Sequence, residues 1–147
     1  MATVGVADRF SEMAVSSKMT IACDLDGVLA DIHTITLTEI SAEIQQVLTL
    51  NLVTEWDWSP AGFNGSIIDR WQHFWRDHSG ESVQPHERDL ETITRRIRRR
   101  FGGLDVVTQH SELERKNIEW WLRNHGVQYD KLVLVGLRGK EDLPYVV

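Results

Sequence analysis

Apolar and polar positions follow one another along this chain in blocks that predict strands and helices in turn. Residues 20–24 form a short apolar run ending in Asp24, with Asp26 and Gly27 close behind, which predicts a buried strand running into a turn. Leu37, Ile40, Ile44, Val47 and Leu48 recur at helical spacing and predict a second element with one apolar face. A loop bearing Trp56-Asp57-Trp58 follows. Ser66-Ile67-Ile68-Asp69 then reads as a capping box opening a helix, with Ile67, Trp71, Phe74, Trp75 and His78 on one face and an end near Gly80. Gln84-Pro85 predicts the start of a third helix, proline being tolerated in a first turn, with Leu90, Ile93, Ile97 and Phe101 on its buried side and Gly102-Gly103 at its end.

Residues 104–108 predict a second strand, and Ser111-Glu112-Leu113-Glu114 a further capping box whose helix runs to about His125 and stops at Gly126. Residues 132–135 are apolar throughout, as expected of a strand covered on both faces, and 143–147 begin a fourth strand. Strands alternating with helices predict an α/β fold built on a parallel sheet. Residues 1–18, with Gly5 and Ser16-Ser17 interrupting Val6, Phe10 and Met13, are expected to form a mobile or loosely docked arm outside a single domain at 19–147.

Composition narrows the function classes. A chain of 147 residues with 41% hydrophobic and 26% charged residues suits one soluble domain with its own core. A net charge of −6 argues against general binding of DNA or RNA. The single cysteine excludes an internal disulfide and fits a reducing compartment. No apolar run reaches the roughly 18–20 residues of a membrane span, and no basic-then-apolar leader opens the chain. The expectation is a cytoplasmic protein with no membrane partner.

In parallel sheets the working residues gather at the carboxyl ends of the strands. Those ends supply Asp24 and Asp26, whose i, i+2 spacing on a strand predicts side chains on the same side. They also supply Thr108 and, past Gly136, Lys140. Two carboxylates, a hydroxyl and an ammonium suit phosphate chemistry with Mg²⁺. One carboxylate can attack phosphorus, and the other can protonate the leaving oxygen and later deprotonate water. The hydroxyl and the ammonium can hold the phosphoryl oxygens.

Asp24-Leu25-Asp26-Gly27-Val28-Leu29-Ala30-Asp31 resembles the first motif of the haloacid dehalogenase superfamily, and its Val-Leu-Ala-Asp ending resembles the 5'(3')-deoxyribonucleotidase branch. Val106-Val107-Thr108 is similar to the second motif, and Lys140 falls where the third-motif lysine belongs. The helix with Trp120-Trp121-Leu122 and the strand Lys131-Leu132-Val133-Leu134-Val135-Gly136 also resemble that branch. The resemblance implies a Rossmannoid sheet with helices on both faces and a small helical cap inserted at about 32–84. It implies Asp24 as nucleophile and metal ligand, and Asp26 as general acid/base and metal ligand through its backbone carbonyl. Thr108 and Lys140 would be phosphate holders, Lys140 also restraining Asp24, with Mg²⁺ as cofactor. Gly27 would let the backbone approach the ligand, and Gln109, Trp56 and Trp58 complete the expected substrate-binding set. The implied activity is hydrolysis of a small phosphomonoester, plausibly a (deoxy)nucleoside monophosphate, through a phospho-aspartate.

The family's fourth motif, an acidic pair ending a strand after the lysine, has no match here; Glu141 and Asp142 precede the expected strand. A catalytically weak or inactive phospholigand- or protein-binding module, or a C-terminally truncated fragment, is the alternative expectation. An unpaired final strand would also permit a homodimer. The arginines at 95, 96, 98, 99 and 100 surround an apolar stripe and read as a solvated face. Cys23 is expected to be an apolar filler and His33 a surface or capping residue, while Trp71, Phe74 and Trp75 are expected to pack the cap.

Overall fold

The computed structural model describes residues 19–55, 58–77 and 80–136. Expectations for the arm at 1–18, for Trp56, His78 and Lys140, and for the strand at 143–147 lie outside the described residues. Strand β1 (Met19–Asp24) leads through a tight turn to the two-residue strand β2 (Ala30–Asp31) and helix α1 (Ile32–Ile44). A 3-10 turn (Leu50–Leu52), helix α2 (Ile67–Arg76) and strand β3 (Gln84–Pro85) follow. The chain continues through helix α3 (Leu90–Phe101), strand β4 (Gly102–Thr108), a second 3-10 turn (Glu112–Glu114), helix α4 (Arg115–Asn124) and strand β5 (Lys131–Leu134). The fold is mixed α/β.

Its main sheet, among the described residues, has the order β1-β4-β5 with both pairings parallel. The register sets Cys23 beside Val106 and Val106 beside Leu132, and this row packs into the main hydrophobic cluster. Every residue of β4 from Gly103 to Thr108 is buried, so both faces of the central strand are covered. Helix α3 packs against β1 and β4. Trp71, Phe74 and Trp75 of α2 are buried in one cluster with Leu25, Leu29 and Trp121, which joins the helix between β1 and β4 to the core of the sheet.

Several local expectations are corrected. Helix α1 ends at Ile44 because Gln45 turns left-handed at φ 54°, which leaves Val47 off the helix and 89% exposed. Gln84-Pro85 does not start a helix; it pairs antiparallel with Ala30–Asp31, a long-range contact in which proline suits the short edge strand. Helix α3 instead begins at Leu90, where the Asp89 carboxylate accepts from the Thr92 N–H. Its buried side carries Thr94, while Ile93 is 39% exposed. The Ser111 box is present but opens a 3-10 turn ahead of α4. In β5, Leu132 is buried whereas Val133 and Leu134 are only half-buried, since β5 ends the described sheet. The Ser66 box is as expected, with the Asp69 carboxylate accepting from the Ser66 N–H at 2.9 Å.

Candidate functional site

Strand β1 ends at Asp24, so the alternation of a strand does not reach Asp26, which sits in the following turn. That turn is wound on the Leu25 carbonyl, which accepts from the N–H groups of Val28, Leu29 and Ala30 at 3.3, 3.0 and 2.9 Å. Gly27 adopts φ 80°, a left-handed conformation open to glycine, and its N–H donates to the Ala30 carbonyl at 2.8 Å. An added Cβ on Gly27 would lie 3.2 Å from Nε2 of His33, so the turn and the start of α1 are in close contact.

Asp24 stands beside Val107 in the β1–β4 register, and Thr108, 2% exposed, is the next residue of β4. Asp24, the turn with Asp26, and Thr108 therefore share the carboxyl edge of the sheet. The Leu25 N–H donates to Oδ1 of Asp24 at 2.7 Å. Gln109 is exposed in the bend after β4. Trp58 is half-buried against the hydrophobic cluster, its backbone bonded to Glu55 and Ile67. Lys140 and Trp56 lie outside the described residues. Cys23 packs against the core on the other side of the strand from its neighbour.

Two residues missing from the expected set are at the centre of the site. The Trp75 indole N–H donates to Oδ1 of Asp26 at 2.8 Å, and Nε2 of His110 lies 2.6 Å from Oδ2 of the same carboxylate. Both partners are buried, and their rings meet edge to face with centroids 6.0 Å apart. His110 lies two positions beyond the strand-end threonine, the kind of edge position from which a site could have been suspected. For Trp75 the helical pattern signals only burial.

The Trp75 side chain is fixed through its own helix. Asn117 Nδ2 donates to the Trp75 carbonyl at 2.6 Å, and Arg76 donates to Glu114 at 2.8 Å, tying the end of α2 to the segment after β4. Burial alone would raise the Glu114 carboxyl, but hydrogen bonds from Ser111 and Arg76, with the Arg76 charge, hold it below its ordinary value.

Along helix α1 a cleft of about 590 Å³ opens, lined among others by Asp31, His33, Thr34, Leu37, Leu48 and His86 and by none of Asp24, Asp26 or Thr108. The His33 ring packs edge to face on Trp71 at 5.0 Å. Burial lowers the His33 imidazole below its ordinary value, against the opposing pull of the Asp31 and Asp26 carboxylates.

Among the described residues no three His, Cys, Asp or Glu side chains converge to hold a metal. Hard oxygen donors such as the Asp24 carboxylate and the Asp26 carbonyl suit Mg²⁺, which commonly takes one or two carboxylates and fills its remaining positions with water and phosphate oxygens. The donor chemistry thus fits Mg²⁺, with a sparse protein share. No helix among the described residues is long and apolar enough to cross a membrane. Compared with protein-family models, curated proteins and solved structures, the chain matches none.

Proposed function

We propose that this protein is a phosphomonoester hydrolase of the haloacid dehalogenase type, acting on a small substrate such as a nucleoside monophosphate. The observation that carries the reading is the meeting of Asp24, Asp26 and Thr108 at one edge of a parallel sheet. An Asp24 oxygen attacks phosphorus and the ester P–O bond breaks. The leaving oxygen takes a proton from the Asp26 carboxyl. Asp26 then removes a proton from water, which attacks phosphorus and releases phosphate and the Asp24 carboxylate. Thr108, with Lys140 from outside the described residues, holds the phosphoryl oxygens. Bound Mg²⁺ would be held by the Asp24 carboxylate and the Asp26 carbonyl and would offset phosphoryl charge.

A small-molecule substrate, rather than a nucleic-acid polymer, fits the net charge of −6. Such an enzyme would work in the cytoplasm. Hydrolysis of p-nitrophenyl phosphate with Mg²⁺ tests the proposal. The native chain should exceed Asp24→Asn by about 100-fold or more; equal rates would overturn it.

A second reading is favoured by one observation, that both Asp26 oxygens are already engaged by Trp75 and His110. On that reading the site binds a phosphorylated ligand without turning it over. Calorimetric binding of a nucleoside monophosphate with no phosphate release would select it.

A further inference from the structure

We propose that His110 is a positioning residue for Asp26, acting with the Trp75 indole to aim the carboxyl oxygen that exchanges a proton with the leaving group. The inference rests on the hydrolase reading above and adds to it a residue that the resemblance does not supply. The terminal torsion of an aspartate is soft and broad, so a backbone position alone does not orient the carboxyl plane. Asp26 also lies past the end of β1, in a turn rather than in a regular ladder. Its orientation must come from what its oxygens touch.

Those contacts arrive from two separate elements, one to each oxygen. Trp75 reaches Oδ1 from α2, and an indole N–H can only donate. His110 reaches Oδ2 from the loop after β4. Neither partner is free to drift. Trp75 is fully buried, packed edge to face on Trp121 at 5.7 Å, and its helix end is held by Asn117. His110 is 6% exposed, and its carbonyl accepts from the Gly136 N–H at 3.3 Å. Each carboxyl oxygen has two lone pairs, so one hydrogen bond to each leaves room on both for a substrate oxygen or water. The plane is fixed, and each oxygen keeps one further lone pair. A general acid is worth about 100- to 10,000-fold when well placed, and a misplacement of about 1 Å can remove about 100-fold.

The test uses the dependence on leaving group. An alkyl phosphate must have its departing oxygen protonated, whereas p-nitrophenolate leaves without a proton. For both, kcat/KM reports only steps up to formation of phospho-Asp24, before Asp26 acts on water. Glutamine places its amide nitrogen where Nε2 of histidine sits, and asparagine falls one atom short; both keep a polar side chain at this buried position. In the full chain with Mg²⁺, His110→Asn should lower kcat/KM for an alkyl phosphate about 10- to 100-fold. For p-nitrophenyl phosphate it should lower it less than about 3-fold, and His110→Gln should restore the alkyl rate to within about 3-fold. Trp75→Phe, which removes the contact to the other oxygen, should give the same alkyl-selective loss.

Parallel losses on both substrates, or no loss on either, in an active native enzyme would overturn the positioning role alone. A native chain no faster than Asp24→Asn on both substrates would overturn the hydrolase reading, and the positioning role with it. If His110→Asn does not fold, the Trp75→Phe comparison decides by the same criterion.

Discussion

A Cβ on Gly80 would overlap Cζ3 of Trp75 and lie 2.7 Å from its Cε3. Gly80 holds φ 69°, and its N–H donates to the Phe74 carbonyl at 2.9 Å, so Gly80 is held close against the Trp75 indole. Gly80→Ala must therefore either displace the ring that donates to Asp26 or move the backbone. The expected cost is about 2–4 kcal/mol of stability, strain and overpacking together. Gly62 separates the two contributions, since it has φ 89° but open space where its Cβ would go. Gly62→Ala should cost only about 1–2 kcal/mol, the left-handed strain alone. Urea denaturation of both variants checks the difference, and equal losses would show that the indole contact is not the cause.

The Glu114 carboxylate predicts a pH dependence. It is 1% exposed, accepts from Arg76 and the Ser111 hydroxyl, and titrates below its ordinary value of 4.5 in the folded protein. A depressed folded pKa means that the unfolded chain binds more protons between the two values. The stabilisation is thus complete above the ordinary value and is lost as pH falls through it toward the folded one. Asp130 acts in the same direction, held low by hydrogen bonds from Arg98 and the Leu104 N–H. The two are separated by comparing stability against pH in the native protein and in Glu114→Gln. The native protein should have the steeper loss below pH 4.5; identical slopes would remove Glu114 from the account.

Thr94 shows why helix phase was only partly legible. Periodicity counts apolar residues, and so assigned Ile93 to the buried side of α3; Ile93 is 39% exposed and Thr94 is 1% exposed. The threonine is tolerated inside because its hydroxyl donates to the Leu90 carbonyl at 2.6 Å and accepts from the Gln128 N–H at 2.8 Å. Thr94→Val keeps the shape and strands the Gln128 N–H, which should cost about 1–2 kcal/mol. Hydrogen exchange at Gln128 should accelerate along with the loss of stability, and unchanged protection there would refute the assignment.

The same division runs through the rest of the chain. Strands β1, β4 and β5 and the edge residues Asp24 and Thr108 were legible from short apolar runs, but only β4 is buried along its length; β1, expected to be buried, and β5 flank it in the described sheet and are largely half-buried or exposed. Pro85 was misread because a helix first turn and an edge-strand pairing tolerate proline equally, and the Ala30 partner that decides between them is far away in sequence. The partners of Asp26 were illegible for the same reason. Trp75 lies 49 positions from it and His110 lies 84, and no local pattern encodes a single hydrogen bond across that span.

His33 yields a prediction in the neutral range. Its ring is packed against Trp71, and burial holds its pKa below the ordinary 6.5 despite the nearby Asp31 and Asp26 carboxylates. Here the neutral form is favoured in the folded state, so the unfolded chain takes up the proton first as pH falls. Stability is full above 6.5 and declines as pH drops through that value toward the folded pKa. His125, also lowered by burial, adds a decline of the same sign, so the contribution of His33 is the part removed by His33→Asn. An NMR titration of the imidazole ring protons should place the His33 midpoint below 6.5. Replacing Trp71 with alanine opens the ring to water and should move that midpoint upward. A midpoint unmoved by that substitution would mean that burial against Trp71 is not what keeps the imidazole neutral.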